Sequence, residues 1–283
     1  MTIVIAKNDF VGSIPSWIGH RLSSLVILNL HSNNFHGYIL ELCSLTSLQI
    51  LGLSHNKLFG SIPRCVHNFS AMATRTNSDY PFFFFFFYHT STRYNSMPFE
   101  SQLVLIKGKD LEYSTTLQLV KILDLSNKNF SSEILAEVTC LKGLQSLNLS
   151  FNILTGRIPE KIGDLGSMES IDFSSNQLSS QIPQSMSRLT FLSQLNLSNN
   201  NLIGKIPSST QLQSLNASNF LGNKLCGPPL TDNCTMKDLQ PNIENKECKV
   251  FSGLEVDWFY VFMAFGFVVG FWVVLGPLLL NRQ

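Results

Sequence analysis

The stretch Leu147-Asn-Leu149-Ser-Phe-Asn152-Ile-Leu154-Thr-Gly156-Arg-Ile158-Pro159 decides the fold, because it recurs. The same frame returns 24 residues on as Ile171 to Pro183, and after another 24 as Leu195 to Pro207. Upstream, Leu28 to Leu40 and Leu51 to Pro63 fit it at a spacing of 23. Ile3 to Pro15 is a further copy and Leu123 to Leu135 a degenerate one, which makes seven. A fixed period of this length marks a solenoid, in which each turn supplies one short strand and no turn can bury its own apolar face. The Leu-x-Leu side chains point inward, and the Asn carboxamide satisfies backbone groups at the bend. About six inward apolar side chains per copy, at about 1.5 to 3 kcal/mol each when buried, offset the ordering entropy only if the copies stack. An amphipathic helix does not explain the pattern, since it needs a 3.6 period and would not tolerate Pro and Gly at fixed points.

Working outward, the motif resembles the plant-specific leucine-rich repeat, LxxLxLxxNxLxGxIPxxIGxLxxL, matched best by Leu144 to Ser167. The expectation is therefore an α/β solenoid of the plant leucine-rich-repeat type. Lys128 replaces the ladder Asn, Leu40 and Leu135 replace the Pro, and Ser132 and Ser180 replace the Gly, so those turns are expected to be less regular. Between Ser70 and Leu119 the period breaks, a stretch too long for an ordinary connection. It contains six consecutive phenylalanines, Phe82 to Phe87, which are either a product of repeat drift or an apolar contact patch. The alternation in Leu103 to Tyr113 predicts a strand or hairpin before the repeats resume.

The rest of the chain has a different character. Of 283 residues only 14% are charged and the net charge is +1, which gives no electrostatic reason to expect nucleic acid as a partner. From Trp258 to Leu280 there is no charge over 23 residues, about 34 Å as a helix, enough to cross a hydrocarbon core of about 30 Å. Trp258 and Tyr260 suit one interface, and Arg282 suits a cytoplasmic anchor. Gly266 and Gly270 form a GxxxG that would let another membrane helix approach closely. From Leu230 to Asp257, six acidic and three basic residues with Pro241 predict a solvated spacer.

Repeats, an insertion, four more repeats, a cysteine cap, an acidic stretch, one membrane helix and a tiny tail together resemble the kinase-lacking plant leucine-rich-repeat receptor-like proteins of the elicitor and pathogen-receptor type. The specific residues are Cys65 to Met72 (CVHNFSAM), Lys107 to Tyr113 (KGKDLEY) and Leu225 to Leu230 (LCGPPL). The implied organisation is repeats at 1–70, an island loop at 71–118, four repeats at 119–214, a cysteine cap at 215–235, a juxtamembrane linker at 236–257, a transmembrane helix at 258–280 and a cytoplasmic tail at 281–283. The resemblance implies perception of a microbial or endogenous protein or peptide outside the cell, at the plasma membrane. Signalling would be delegated to co-receptor and adaptor receptor-like kinases, the adaptor meeting Gly266 and Gly270. It also implies a cap disulfide between Cys226 and Cys234. Cys43 and Cys65 occupy nearly the same place in neighbouring copies, ten and nine residues after Asn33 and Asn56, and coils about 5 Å apart put them within disulfide reach. Cys140 and Cys248 are read as one buried thiol and one cysteine in a flexible linker. Six sequons, at Asn68, Asn129, Asn148, Asn196, Asn216 and Asn233, together with the disulfides favour an oxidising compartment. Several of the six are inherent in the repeat phrase Leu-Asn-Leu-Ser.

No enzyme is expected. Only Asn281 to Gln283 follow the helix, no phosphate loop or kinase catalytic sequence occurs, and the histidines are scattered without metal-ligand spacing, each read as a surface residue of its repeat. Asp124 and Asp172 share a strand position but lie two coils apart, about 10 Å, outside the range for paired-carboxylate chemistry. No cofactor or metal is implied. The binding face is the variable strand positions, mostly small and polar, which suit a shallow protein contact. Ser146, Ser170, Asp172, Gln194 and Asn196, with Lys107, Lys109 and Tyr113 at the end of the island, are the candidate partner-docking residues. Met1 falls inside a repeat with no secretion signal or N-terminal cap ahead of it, so the sequence reads as a fragment of a longer receptor. A truncated non-functional or decoy membrane repeat protein is the alternative reading, and a soluble enzyme-inhibitor repeat protein a third, which the apolar 258–280 segment disfavours.

Overall fold

The structure, a computed structural model, describes residues 1–74, 102–106, 109–113, 120–126, 129–231 and 234. All lie in one compact unit, Met1–Cys248. Seven three-residue strands, Thr2–Val4, Ile27–Asn29, Ile50–Gly52, Ile122–Asp124, Ser146–Asn148, Ser170–Asp172 and Gln194–Asn196, form one parallel sheet in chain order. The repeat frame sets the register: Ile3 pairs with Leu28, then Leu51, Leu123, Leu147, Ile171 and Leu195 in line. These central side chains point into the solenoid and are buried or nearly so, because the alternating pleat sends every second residue inward. The island does not interrupt the sheet. Ile50 pairs directly with Ile122 and Leu51 with Leu123, so the insertion leaves from between two stacked coils.

After six of the seven strands the chain bends at a described residue with positive φ: Lys7, Ser32, His55, Phe151, Ser175 and Asn199, near 53° to 57° in each case. The next residue is the repeat Asn, and its carboxamide joins two coils. Asn176 shows the pattern: its Nδ2 donates to the carbonyls of Phe173 (3.1 Å) and, one coil back, Leu149 (2.9 Å), while its Oδ1 accepts from the Leu154 N–H (3.0 Å). Asn33, Asn56, Asn152 and Asn200 repeat it. Buried backbone groups that no strand partner reaches are satisfied this way. A second series of short parallel pairings follows the bend, including Val11–Ser13 with Asn34–Gly37 and Ser131–Glu133 with Ile153–Thr155. One-turn helices close the coils: Trp17–Arg21 as α-helix, and Leu40–Ser44, Arg64–Asn68, Ala136–Cys140, Ile162–Asp164 and Gln184–Arg188 as 3-10 turns. A single hydrophobic cluster runs from Ile14 to Leu225 through all of them.

The turns at Ser132, Leu135 and Ser180 are more regular than expected. Ser132 (φ 92°) and Ser180 (φ 73°) adopt the left-handed backbone that Gly60 (99°), Gly156 (74°) and Gly204 (84°) hold in sister coils. Leu135 (φ −69°, ψ 143°) matches Pro63 (φ −70°, ψ 141°) at the start of its 3-10 turn. At these three, stacking on both sides imposes the coil geometry even where the local residue does not favour it. The Leu40 coil does depart from the frame, as expected: its turn, Leu40–Ser44, begins at Leu40 itself, after Ile39 at φ −101° and ψ 14°, one residue earlier than in the Pro63 and Leu135 coils. Lys128 lies outside the described residues.

The cap contains an eighth rung that the seven copies do not include. Asn223 donates to the carbonyls of Leu197 (2.9 Å) and Phe220 (3.0 Å) and accepts from the Leu202 N–H (3.0 Å), and Lys224–Cys226 pairs with the strand Asn201–Lys205. Cys226 is bonded to Cys234, and Cys43 to Cys65 with Cα atoms 5.4 Å apart. Cys140 is not a buried thiol: it too is disulfide-bonded, a correction the even spacing of coils could not supply. The expected hairpin forms, Gln102–Ile106 antiparallel to Lys109–Tyr113. Among the described residues no helix is long and apolar enough to cross a membrane. The expected span 258–280 with Gly266 and Gly270, the linker 236–257, the tail, Cys248 and Phe82 to Phe87 all lie outside the described residues.

Candidate functional site

On each strand after the island the outward residue is an Asp or Asn followed two places later by a Ser, and the pair is clasped. Asp124 Oδ1 accepts from the Ser126 N–H (3.0 Å) and hydroxyl (2.8 Å). Asn148 does the same with Ser150, Asp172 with Ser174, and Asn196 with Ser198. The clasp fixes one side-chain oxygen against the strand and leaves the other amide or carboxylate atom for a partner. Of the docking residues expected from sequence, Gln194 is exposed and Asp172 and Asn196 are half-buried. Ser146 and Ser170 retain only 6% and 7% of their surface and form the floor between coils. Lys109 and Tyr113 lie at the two ends of the second hairpin strand, opposite Ile106 and Gln102, and Lys107 lies outside the described residues.

Where the island leaves, the chain is pinned to the coils on both sides of it. The helical turn Ser70–Ala73 follows directly from the Arg64–Asn68 turn, with Met72 fully buried. The Ala71 N–H donates to the Thr46 carbonyl (3.0 Å) in the coil before, and the Gly143 N–H donates to the Met72 carbonyl (2.9 Å) from the coil after. The Thr74 carbonyl accepts from Lys121 Nζ. A Cβ on Gly143 would stand 2.0 Å from that carbonyl, so only glycine admits the contact. Burial lowers the Lys121 pKa from the ordinary lysine value.

On the sheet face the same junction is crossed by a polar chain. Ser54 Oγ, in the last coil before the island, donates to Asp124 Oδ2 (2.8 Å) in the first coil after it. His31 Nδ1 lies 2.7 Å from the same Ser54 oxygen, and His31 Nε2 lies 3.0 Å from Ser32 Oγ. The His31 and His55 rings meet edge to face at 5.2 Å. Burial raises the Asp124 pKa, opposed by hydrogen bonds from the Ser126 backbone and hydroxyl and from Ser54, and by the charge of His55. Sequence reading placed these histidines as surface residues of their repeats, yet His31 is half-buried in this network. The signal was their recurrence at neighbouring strand ends in adjacent copies, Leu30-His31-Ser32 and Ser54-His55-Asn56. Asp124 and Asp172 stay two coils apart with Asn148 between them, as the register requires.

The sequon asparagines divide by position. Asn68, Asn129 and Asn216 are exposed, whereas Asn148 and Asn196 are the clasped, half-buried strand residues. Asn233 lies outside the described residues.

A family model described as leucine rich repeat matches residues 142–202, and a second of the same description matches 47–69. Receptor-like protein EIX2 of Solanum lycopersicum is 47% identical over 99% of this chain and 28% of its own length. Receptor-like protein EIX1 of the same plant is 42% identical over 99% of this chain and again 28% of its own. The chain thus spans little more than a quarter of these relatives. Among solved structures, it is similar to the ectodomain of the Arabidopsis thaliana membrane receptor kinase GASSHO1/SCHENGEN3 in complex with CASPARIAN STRIP INTEGRITY FACTOR 2, at a TM-score of 0.61 and 30% identity over 83% of this chain and 22% of that one. It is also similar to the Arabidopsis receptor kinase HAESA in complex with the peptide hormone IDA and the co-receptor SERK1, at a TM-score of 0.57 and 27% identity over 79% of this chain and 30% of that one. The relatives are receptor-like proteins, and the matched repeats of the receptor kinases are a ligand-binding fold rather than a catalytic one.

Proposed function

Since the chain belongs to the plant leucine-rich-repeat receptor-like proteins, we propose that it is the co-receptor-docking part of a cell-surface receptor that perceives a microbial or endogenous protein or peptide in defence signalling. The carrying observation is the sheet face of the four coils after the island, where Asp172, Gln194 and Asn196 present an acceptor, an exposed amide and a clasped amide on successive rungs. Among the described residues the outward strand positions of these coils, such as Ser146, Asn148, Ser170, Asp172, Gln194 and Asn196, are small or polar, which suits a broad, wet contact with another ectodomain better than a small molecule. The HAESA complex, which holds the co-receptor SERK1, supports this kind of partner. The end of the island, Lys107, Lys109 and Tyr113, completes the docking surface, and a kinase-bearing adaptor meets the GxxxG of Gly266 and Gly270. The segment 258–280 anchors the chain with its repeats outside the cell, where Asn68, Asn129 and Asn216 carry glycans.

The test is co-precipitation of the full chain with the SERK1 ectodomain. Asp172→Arg with Gln194→Arg places two long cations on half-buried and exposed rungs without touching the core, and is expected to abolish capture. Capture at the wild-type level overturns the docking surface.

A further inference from the structure

The short pairings that follow the bend carry an exposed aromatic pair on the coils before the island. The alternation that sends Phe35 and Leu58 into the core leaves His36, Tyr38 and Phe59 outside. Tyr38 and Phe59 keep 59% and 40% of their surface, although phenylalanine is among the residues most often buried in full. The two rings are held in place. They meet edge to face with centroids 4.8 Å apart, and the Tyr38 ring lies on Gly60, where a Cβ would stand 2.7 Å from Tyr38 Cδ1. The next coil sets a sequon beside them. In Asn129-Phe130-Ser131 the phenylalanine is in the core and Asn129 is exposed. Gly60 bridges Phe130 in parallel, and the Ser131 N–H donates to the Gly60 carbonyl (2.8 Å). That register brings Asn129 beside Phe59, as the pairing of Gly37 with Leu58 brings Phe59 beside Tyr38. At about 4.8 Å between strands, Phe59 is one spacing from Asn129 and Tyr38 two, roughly 10 Å.

We propose that the Tyr38 and Phe59 rings are the seat of the first sugars of a glycan on Asn129. The inference rests on the placement of the repeats outside the cell proposed above. In the attachment, Asn129 Nδ2 gives up one hydrogen and bonds to C1 of an N-acetylglucosamine. The bond from C1 to a lipid-linked pyrophosphate breaks, and the pyrophosphate leaves with the electron pair. One face of that sugar is a set of C–H groups, polarised by the ring oxygen and hydroxyls, which suits the negative face of an aromatic ring. Its hydroxyl and acetamide groups stay in water, so covering the rings removes apolar surface without burying polar groups. Because the pair is already fixed by Gly60 and by its own edge-to-face contact, little side-chain freedom is lost when a sugar covers it. The glycan would span three coils, from Asn129 over Phe59 to Tyr38, and would bind together from outside the two coils between which the island leaves. Asn216, an exposed sequon in the cap, has a different setting: its own Oδ1 accepts from the Ser218 N–H (2.9 Å).

The full chain is sent through the secretory route behind an added leader peptide and recovered in detergent. Glycopeptide mass spectrometry is expected to find Asn129 occupied, and Asn129→Gln to lower the thermal midpoint of the repeats by about 2 to 4 °C. In a Phe59→Ser background the same change should lower it by less than about 1 °C. Asn216→Gln should change it equally in both backgrounds. With isotopically labelled sugars, the ring currents of the pair should move proton signals of the first N-acetylglucosamine on Asn129 upfield, and Phe59→Ser should return them to the values of the Asn216 glycan. A bare Asn129 beside an occupied Asn216 overturns the seat and leaves the placement outside the cell standing, whereas no glycan at any sequon overturns both. Equal falls of the midpoint in the two backgrounds overturn the seat. So does loss of SERK1 capture in Phe59→Ser with Asn129→Gln unaffected, which would make the aromatic pair a protein contact.

Discussion

Asp124 is a carboxylate placed where its three sister coils put Asn148, Asp172 and Asn196, and its environment differs from theirs by the contact with Ser54 and by fuller burial. Burial raises its folded pKa above the ordinary 3.8, so the folded chain holds this proton more tightly than the unfolded chain does. The sign follows. The stabilising contribution is full below the unfolded value and is lost as pH rises through the raised folded value. Asp124→Asn keeps the oxygen that accepts from Ser126, as Asn148 does for Ser150, and removes the charge. Its urea midpoint should exceed that of the wild type at about pH 7.5 and converge with it near about pH 3.5. A constant difference across that range would show that desolvation of the carboxylate is not the cause. Ser180 offers a second test at this scale. A side chain at φ 73° is in the left-handed region, which costs roughly 1 to 2 kcal/mol that glycine does not incur. Ser180→Gly loses little packing, since the side chain is half-buried, and should raise stability by about 1 kcal/mol in the same urea assay.

At the scale of elements, what was legible in the sequence was whatever one coil shares with the next. The strand register, the Asn rungs at 33, 56, 152, 176 and 200, and the Cys43 to Cys65 bridge all follow from the period, because identical residues one coil apart must stack. What escaped was contact between residues that the period does not align. Ser54 meets Asp124 only because a long insertion separates two stacked coils, and Met72 meets Gly143 for the same reason. Asn223 was missed because a 3-10 turn, Ala217–Phe220, stands where a Leu-x-Leu strand should precede it, although Asn223-Lys-Leu225-Cys-Gly227 keeps the rest of the frame. Of the docking residues, sequence could name the strand positions but not their exposure. Ser146 and Ser170 sink between larger neighbours simply because a serine is short. The element with most at stake is the turn Ser70–Ala73, which the Gly143 contact holds against the coil after the island. Gly143→Ala drives a Cβ onto the Thr74 carbonyl and should cost about 1 to 3 kcal/mol, with faster proteolytic cleavage after Ala73, whereas a substitution at exposed Lys142 should do neither.

Among the described residues one seven-stranded sheet and one main hydrophobic cluster run through the coils, and the island is an excursion from them. Ile50 to Gly52 pair with Ile122 to Asp124 as closely as any neighbouring strands after the island pair. The two ends of the excursion are also tied to each other, since Lys121 reaches the Thr74 carbonyl with its own side chain. A lysine side chain extends only about 6 Å, so a linker of about four residues, at roughly 3.3 Å each, suffices to join Thr74 to Val120. Shortening a surface loop changes its closure entropy only logarithmically, by about 0.6 kcal/mol per halving, and in the stabilising direction. A chain in which residues 75–119 are replaced by Gly-Ser-Gly-Ser should therefore keep the far-ultraviolet circular dichroism of its repeats and unfold in urea at a midpoint no lower than the parent's. It should at the same time lose co-precipitation with the SERK1 ectodomain, because Lys107, Lys109 and Tyr113 leave with the loop. Collapse of the repeats on this replacement would mean that the insertion is part of the core, against the unbroken register. Survival of both the repeats and the capture would place docking on the strand rungs alone.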